Sequence, residues 1–428
     1  ATGATAVAQK FKDAFQKVAQ SLPKGGGAGG GAGGGPGRGS GAAAAASRAA
    51  GSLLVAGIAS PSMAQESLSG SRPNIIFIFS DDHASHAISA YGSRVNETPH
   101  IDRLASEGLL FRNNFCGNAL CGPSRATILT GLHSHANGFM RNGNRFDGDQ
   151  VTFPKLLKKV GYQTALIGKW HLSSDPQGFD KWMVFPGQGN YYNPDFRTKD
   201  GRVRVEGHAT NLTTKLSLEW LDQRDEDRPL SLMCQHKAPH RNWQPAPEDL
   251  GLFNDRPIPE PPTLFDDYKG RGPMAKAQEM SIANHMFLHY DLIVPPKDPA
   301  KLRGTDSVWL GQRKRMTAEQ LLGWDKAFEA ENAAFLREDP QGKERVRWAY
   351  QRYMKNYLRC VNGAHRSVGE LLHQDVELWR RRPEEATPRR GGRLNQGATR
   401  RGQRRAFDFG RVNGFEDHGD RREACEHE

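Results

Sequence analysis

The chain is 428 residues long, 37% hydrophobic and 25% charged, enough apolar material for one large domain or two smaller ones. Its formal charge of +11 suggests a polyanion partner until it is divided by segment: residues 1–70 hold 6 Lys/Arg against 2 Asp/Glu, residues 380–428 hold 13 against 9, and residues 71–379 hold 40 against 37. The basic excess belongs mostly to the two ends, which removes the support for a nucleic-acid-binding core, and five cysteines without a CxxC spacing argue against a disulfide scaffold or a zinc ribbon.

Residues 1–70 read as a low-complexity segment. "VAQKFKDAFQKVAQSL" has helical spacing with lysines between the apolar residues, and reads first as sequence outside the mature protein, second as a short amphipathic helix. "GGGAGGGAGGGPGRGSG" at 25–41 has no side chains with which to build a core and is expected to be a flexible linker. At 47–64 lies the pattern of an export signal: Arg48, an apolar run from Ala49 to Ala59, and a small-x-small ending at Ser62, Met63 and Ala64. That run is too short to span a bilayer, so the expectation is an exported chain (periplasmic, secreted or lysosomal) without a transmembrane anchor.

From residue 71 the pattern changes. Ile75–Phe79 is an unbroken apolar run, as expected for a strand covered on both faces, and it switches at once to Asp81, Asp82 and His83. Next comes "CGPSRATILTG", in which Pro123 suits the first turn of a helix whose free amides would face whatever Cys121 holds; an oxyanion is the natural guest. Arg125 is placed to steady both residue 121 and a tetrahedral anion. A helix from Phe153 to Val160, stopped by Gly161, leads to a strand at Thr164–Ile167 and then Lys169 and His171. The plan repeats with a helix to about Leu221 and a strand at Leu230–Cys234, followed by His236, Lys237 and His240.

Alternating strands and helices point to an α/β fold with a mostly parallel central sheet and helices on both faces, where ligands bind beyond the strands' carboxyl ends. All three polar clusters are then expected on one rim. Each alone is compatible with helix caps, turns or solvated surface; their coincidence with the cysteine motif argues for a site. Asp81 and Asp82 supply hard oxygen ligands for Ca²⁺ or Mg²⁺. Neighbouring cations would favour a Cys121 thiolate as nucleophile, whereas a hard metal prefers an oxygen nucleophile, and the residues alone leave both open. From Arg380 onward thirteen arginines occur without one lysine, a change of usage expected of a reading-frame shift or of a disordered basic tail at 379–428.

The spacing of Cys121, Pro123, Ser124, Arg125, Leu129, Thr130 and Gly131 resembles the signature of the type I, formylglycine-dependent sulfatases of the alkaline phosphatase-like superfamily. The resemblance runs from "RPNIIFIFSDD" through "TPHIDRLASEGLLF", "GKWHL" and "KAPHRNW" to about Leu372, making 71–378 a sulfatase-like catalytic domain. It implies that a formylglycine-generating enzyme oxidises Cys121, that Asp81 and Asp82 are the first ligands of a calcium (Mg²⁺ being possible) to which residue 121 adds an oxygen, and that the metal and Arg125 stabilise the oxyanion. It further implies that Lys169 and His240 hold the sulfate oxygens, one of them protonating the leaving alcohol, and that His171 takes a proton when the covalent sulfate is released. The implied substrate is a sulfate ester, in preference a sulfated carbohydrate, and the loop "PGQGNYYNPDF" offers aromatic and polar groups suited to a sugar. Cys116 reads as a buried bystander.

The resemblance has gaps. Family members carry a second metal-binding stretch, an apolar strand running into an Asp-Gly motif, then a sulfate-contacting lysine and a small C-terminal subdomain; none follows Leu372 in that form. "FEDHGD" offers Asp417, His418 and Gly419 without the strand to aim them. The chain as written is therefore expected to bind Ca²⁺ weakly and to show little or no sulfatase activity. Competing readings are a phosphodiester or phosphonate monoester hydrolase of the same superfamily, a non-catalytic pseudo-sulfatase that binds sulfated glycans, and a defective gene model. Asn96 and Asn211 stand in sequons that permit N-glycosylation.

Overall fold

The computed structural model describes residues 72–380, the side chains of 375–380 excepted; the glycine linker, the export pattern at 47–64 and the stretch with Asp417, His418 and Gly419 lie outside the described residues. Six strands, β1 (Ile75–Phe79), β2 (Gln163–Lys169), β3 (Lys181–Phe185), β4 (Asp195–Thr198), β5 (Gly201–Arg204) and β6 (Leu230–Gln235), form one sheet in the order β1-β6-β2-β3-β4-β5. Parallel pairing joins the first four, with Ile76 opposite Leu232, Leu166 opposite Met233 and Leu166 opposite Trp182. The mostly parallel α/β sheet is as expected. What the apolar runs did not announce is the edge: β4 adds antiparallel to β3 and β5 antiparallel to β4, and β5 (GRVR) is exposed along its length, so no apolar pattern marks it.

Helices cover both faces. On one, α1 (Pro99–Glu107), α4 (Ala209–Asp222) and α6 (Gly342–Arg380) contribute Ile101, Leu221, Val368 and Leu371 to a cluster with Ile76, Ile78, Leu230 and Leu232. On the other, α2 (Cys121–Thr130) and α3 (Phe153–Lys159) pack Ala126, Leu129 and Phe153 on Leu166, Val184 and Met233. A further helix, α5 (Ala318–Glu338), starts from a capping box in which Thr317 and Gln320 satisfy each other's backbone amides. Seven of the ten residues of α2 are buried, which is why it shows no amphipathic stripe: it is enclosed, not half-wet.

Strand β2 runs two residues further than its apolar core suggests and carries Lys169 within the sheet. Gly168 makes this possible. Its φ is 109°, and a Cβ there would fall 1.9 Å from the Gln235 carbonyl oxygen, so only glycine lets β2 and β6 lie together at this level. The Asn96 sequon is closed off in the fold: Asn96 is buried and its Nδ2 donates to the Ala87 carbonyl at 3.2 Å.

Candidate active site

The ends of β1, β6 and β2 deliver the polar residues to one rim. The amide of Asp81 donates to the Ala238 carbonyl at 3.1 Å, tying the turn after β1 to the turn after β6. Asp81 is fully buried; Lys169 forms an ion pair with its Oδ2, and Arg125 Nη2 lies 3.3 Å from the same oxygen. Burial opposes the Asp81 charge, but Lys169 and Arg125 outweigh it and hold the carboxyl far below the usual range. Lys169, equally buried, is kept charged in turn by Asp81.

Asp82 has a left-handed backbone (φ 58°), sparsely populated for a non-glycine residue. Tyr357 of α6 secures it: its Oη donates to the Asp82 carbonyl at 3.0 Å and accepts from the Ala84 amide at 2.8 Å. Burial and the adjacent Asp81 charge push the Asp82 carboxyl up to about 7. His240 Nε2 lies 3.6 Å from Asp82 Oδ2, and its Nδ1 pairs with the Arg241 carbonyl, which fixes Nδ1 as the protonated nitrogen.

Cys121 opens α2 at the centre of this group. Its Sγ is 3.7 Å from Asp81 Oδ1 and 3.7 Å from Lys169 Nζ. Ligand atoms of Asp81, Cys121 and His240 all lie within 4.8 Å of one another. The donor set suits a hard divalent cation through the buried Asp81 carboxylate, with the Asp82 carboxyl next in the chain and 3.6 Å from His240 Nε2. Burial and the Asp81 charge push the Cys121 thiol up to about 12, against the pull of the nearby Lys169 and Arg125. His171, on a left-handed backbone (φ 54°), stays neutral, pulled down to about 3 by burial and by Lys169, and its buried Nδ1 has no hydrogen-bond partner.

Several expectations change. Arg125, expected beside residue 121 and an incoming anion, donates to the Lys169 carbonyl (2.5 Å), Gln235 Oε1 (2.7 Å) and Asp81, which also fastens three strand ends together. The amide of Gly122, read as free for a guest, donates to Asn142 Oδ1 at 3.0 Å. His236 leaves the rim. Strand pleating sends alternate residues to opposite faces, so His236 turns to α6, where its Nε2 meets Ser367 Oγ at 2.8 Å. Cys116 is half-buried, not enclosed, and its Sγ lies 3.4 Å from Ser124 Oγ at the back of α2. Tyr191 and Tyr192 are buried, with hydroxyls bonded to the carbonyls of His240 and Pro245, so they offer no stacking surface to a sugar; from that loop it is Gln188 that enters, accepting from Lys169.

Gln188, Gln235, Lys237 and Tyr357 thus belong to the site without having been assigned a role from the sequence. Period-two alternation through β6 would have flagged Gln235 and Lys237 together; nothing local in the sequence marks Tyr357, 275 residues from Asp82.

The Sulfatase family model matches residues 73–375. The chain is 46% identical over 326 residues to the N-acetylglucosamine-6-O-sulfatase of Bacteroides thetaiotaomicron, covering 75% of this chain and 57% of that protein. It is 42% identical over 134 residues to human N-acetylgalactosamine-6-sulfatase, covering 27% of this chain and 26% of the relative. A protein solved in complex with its substrate D-glucosamine-2-N,6-O-disulfate superposes with a TM-score of 0.69 at 45% identity, covering 72% of this chain and 63% of that one. The chain therefore spans a little over half the length of the bacterial relative and about a quarter of the human one.

Proposed function

The chain belongs to the sulfatase family, and on that premise we propose that it hydrolyses a sulfate ester on a sugar, most closely a 6-O-sulfate of an N-substituted glucosamine. The sugar is suggested by the name of the bacterial relative and by the disulfated glucosamine bound in the similar structure. The reading rests on one observation above others: Asp81, Lys169 and His240, from the ends of three different strands, converge on residue 121. In this reading residues 71–378 form the catalytic domain, and the chain is exported, on the pattern at 47–64; among the described residues no helix is long and apolar enough to cross a membrane.

Asp81, Asp82 and residue 121, with His240 beside them, would hold a divalent cation, Ca²⁺ or Mg²⁺, which when bound stabilises negative charge on oxygen. Oxidation of Cys121 to formylglycine by a formylglycine-generating enzyme would supply the hydrated aldehyde as an oxygen nucleophile, consistent with a thiol that burial keeps protonated. The chain's other side chains divide the remaining work. Lys169, held charged by Asp81, presents its ammonium beside residue 121 and is the one of the two candidate donors that is cationic at neutral pH, since burial keeps His240 neutral with its single proton on Nδ1. His171, neutral and with a free Nδ1, is suited to accept a proton. Arg125 orients Asp81 and the Lys169 backbone.

The test is to co-express the chain with a formylglycine-generating enzyme, confirm the modification by peptide mass spectrometry, and follow release of inorganic sulfate from N-acetylglucosamine-6-sulfate in Ca²⁺. Release is expected to be slow, because the described residues supply only part of a metal shell, to stop with EDTA, and to be absent from Cys121→Ala. Release that survives Cys121→Ala or EDTA, or a modified chain that neither binds the sulfated sugar nor releases sulfate from it, overturns the reading.

A further inference from the structure

The rim contains a cation that the fold itself does not use. Lys237 follows Gln235 by two residues and so shares its side of the sheet, the side on which Gln235 meets Arg125. It is 5% exposed. Its neighbour Ala238 accepts the Asp81 amide, which sets Lys237 beside the Asp81 turn. Its Nζ lies 5.0 Å from the centroid of the Tyr191 ring, and Tyr191 is itself fixed by the bond from its hydroxyl to the His240 carbonyl at 2.7 Å. Among the described residues no carboxylate or carbonyl accepts a hydrogen bond from this ammonium. Lys169 differs: its ammonium already faces Asp81, Gln188 and Cys121.

A buried ammonium without an acceptor is costly unless a partner arrives from outside the chain. The charges that act on Lys237 are those of the site, Lys169, Asp81, Cys121 and Asp82, and burial together with repulsion from Lys169 pulls it down to about 7. The aromatic face beneath it favours the charged form.

We propose that Lys237 is a substrate-binding residue that receives an anionic oxygen of a sulfate group, adding a second cation to the one Lys169 provides. This rests on the reading of the site as a sulfatase's and names a substrate contact within it. Nothing needs to move for it to act. The ammonium is held in place by Tyr191 and lacks only the acceptor.

Calorimetric titration of the full chain with inorganic sulfate, then with N-acetylglucosamine-6-sulfate and glucosamine-2-N,6-O-disulfate, tests this in wild type, Lys237→Met, Lys237→Gln and Lys237→Arg. Met keeps the stem over Tyr191, Gln keeps polarity should Met not fold, and Arg keeps the charge. Loss of a charged hydrogen bond predicts affinity weaker by on the order of tenfold or more in the Met and Gln variants, with Arg retaining most of it. The unliganded melting temperature should not fall, because no internal hydrogen bond is lost; a merely structural lysine would lower it. Weakening for both sugars supports contact with the reacting sulfate, and weakening confined to the disulfate supports contact with the second one. Equal binding of all three ligands by wild type and Lys237→Met overturns the assignment while leaving the proposed reaction standing. A chain that neither binds sulfate nor desulfates the sugar overturns both.

Discussion

Arg125 joins the carboxyl ends of β1, β2 and β6 through Asp81, the Lys169 carbonyl and Gln235, and stacks 4.9 Å over the Phe79 ring. Removing it leaves two buried acceptors unpaired and Asp81 with Lys169 as its remaining cation, so Arg125→Ala should lose about 3 kcal/mol or more of unfolding free energy in urea titrations, with Arg125→Lys only a partial rescue because one ammonium cannot reach three acceptors. A second prediction concerns pH. Burial holds His236 down to about 4, against 6.5 when unfolded, and His365 behaves alike. Between those values the unfolded chain binds more protons, so stability falls as pH is lowered from about 6.5 toward 4, and His236→Gln should flatten the melting-temperature slope in that window. At this scale the sequence was informative where chemistry is unusual: Asp81, Cys121, Lys169 and His240 meet as their types suggest. It misled for His236, where one step of strand register outweighs residue type, and it gave no sign of the Arg125 partners 44 and 110 positions away.

Among the elements, α6 does more than cover the sheet. Through Tyr357 it holds the strained turn that presents Asp82, while Tyr353 and Tyr357 pack around Trp243. Tyr357→Phe removes one donor and one acceptor and is expected to cost about 1–2 kcal/mol of stability. The affinity for Ca²⁺, read as a thermal shift during titration, should weaken as well, whereas a tyrosine that only fills space would leave that shift intact. Three of the four parallel strands, β1, β2 and β6, were legible because a strand buried on both faces must be apolar throughout, and the polar residues begin where burial stops. The extent of α2 and the edge strand β5 were harder for opposite reasons: one is mostly buried and the other exposed along its length, and neither condition leaves a periodic trace.

In the molecule as a whole, residues far apart in sequence make one rim only when β1, β2, β6 and α6 are all in place, so the site depends on the completed sheet. The family and the general chemistry could be read from motifs, while the supporting groups could not, because Gln188, Lys237 and Tyr357 acquire meaning through tertiary neighbours. The enclosure of α2 has a consequence for timing. Residue 121 is 8% exposed at the first position of a helix with seven buried residues, so in the proposed maturation the oxidising enzyme would compete against the docking of that helix. The modified fraction then becomes a race between two rates and a record of how quickly each molecule folded. A variant that docks α2 less firmly, such as Leu129→Ala at a 3% exposed core position, should lose about 2–5 kcal/mol of stability and yet emerge with a larger formylglycine fraction by mass spectrometry when the oxidising enzyme is limiting. An unchanged fraction would mean that oxidation finishes before α2 docks in either chain. In that proposed sequence of events haste is the hazard, and a chain that folds too fast would be locked in the thiol form.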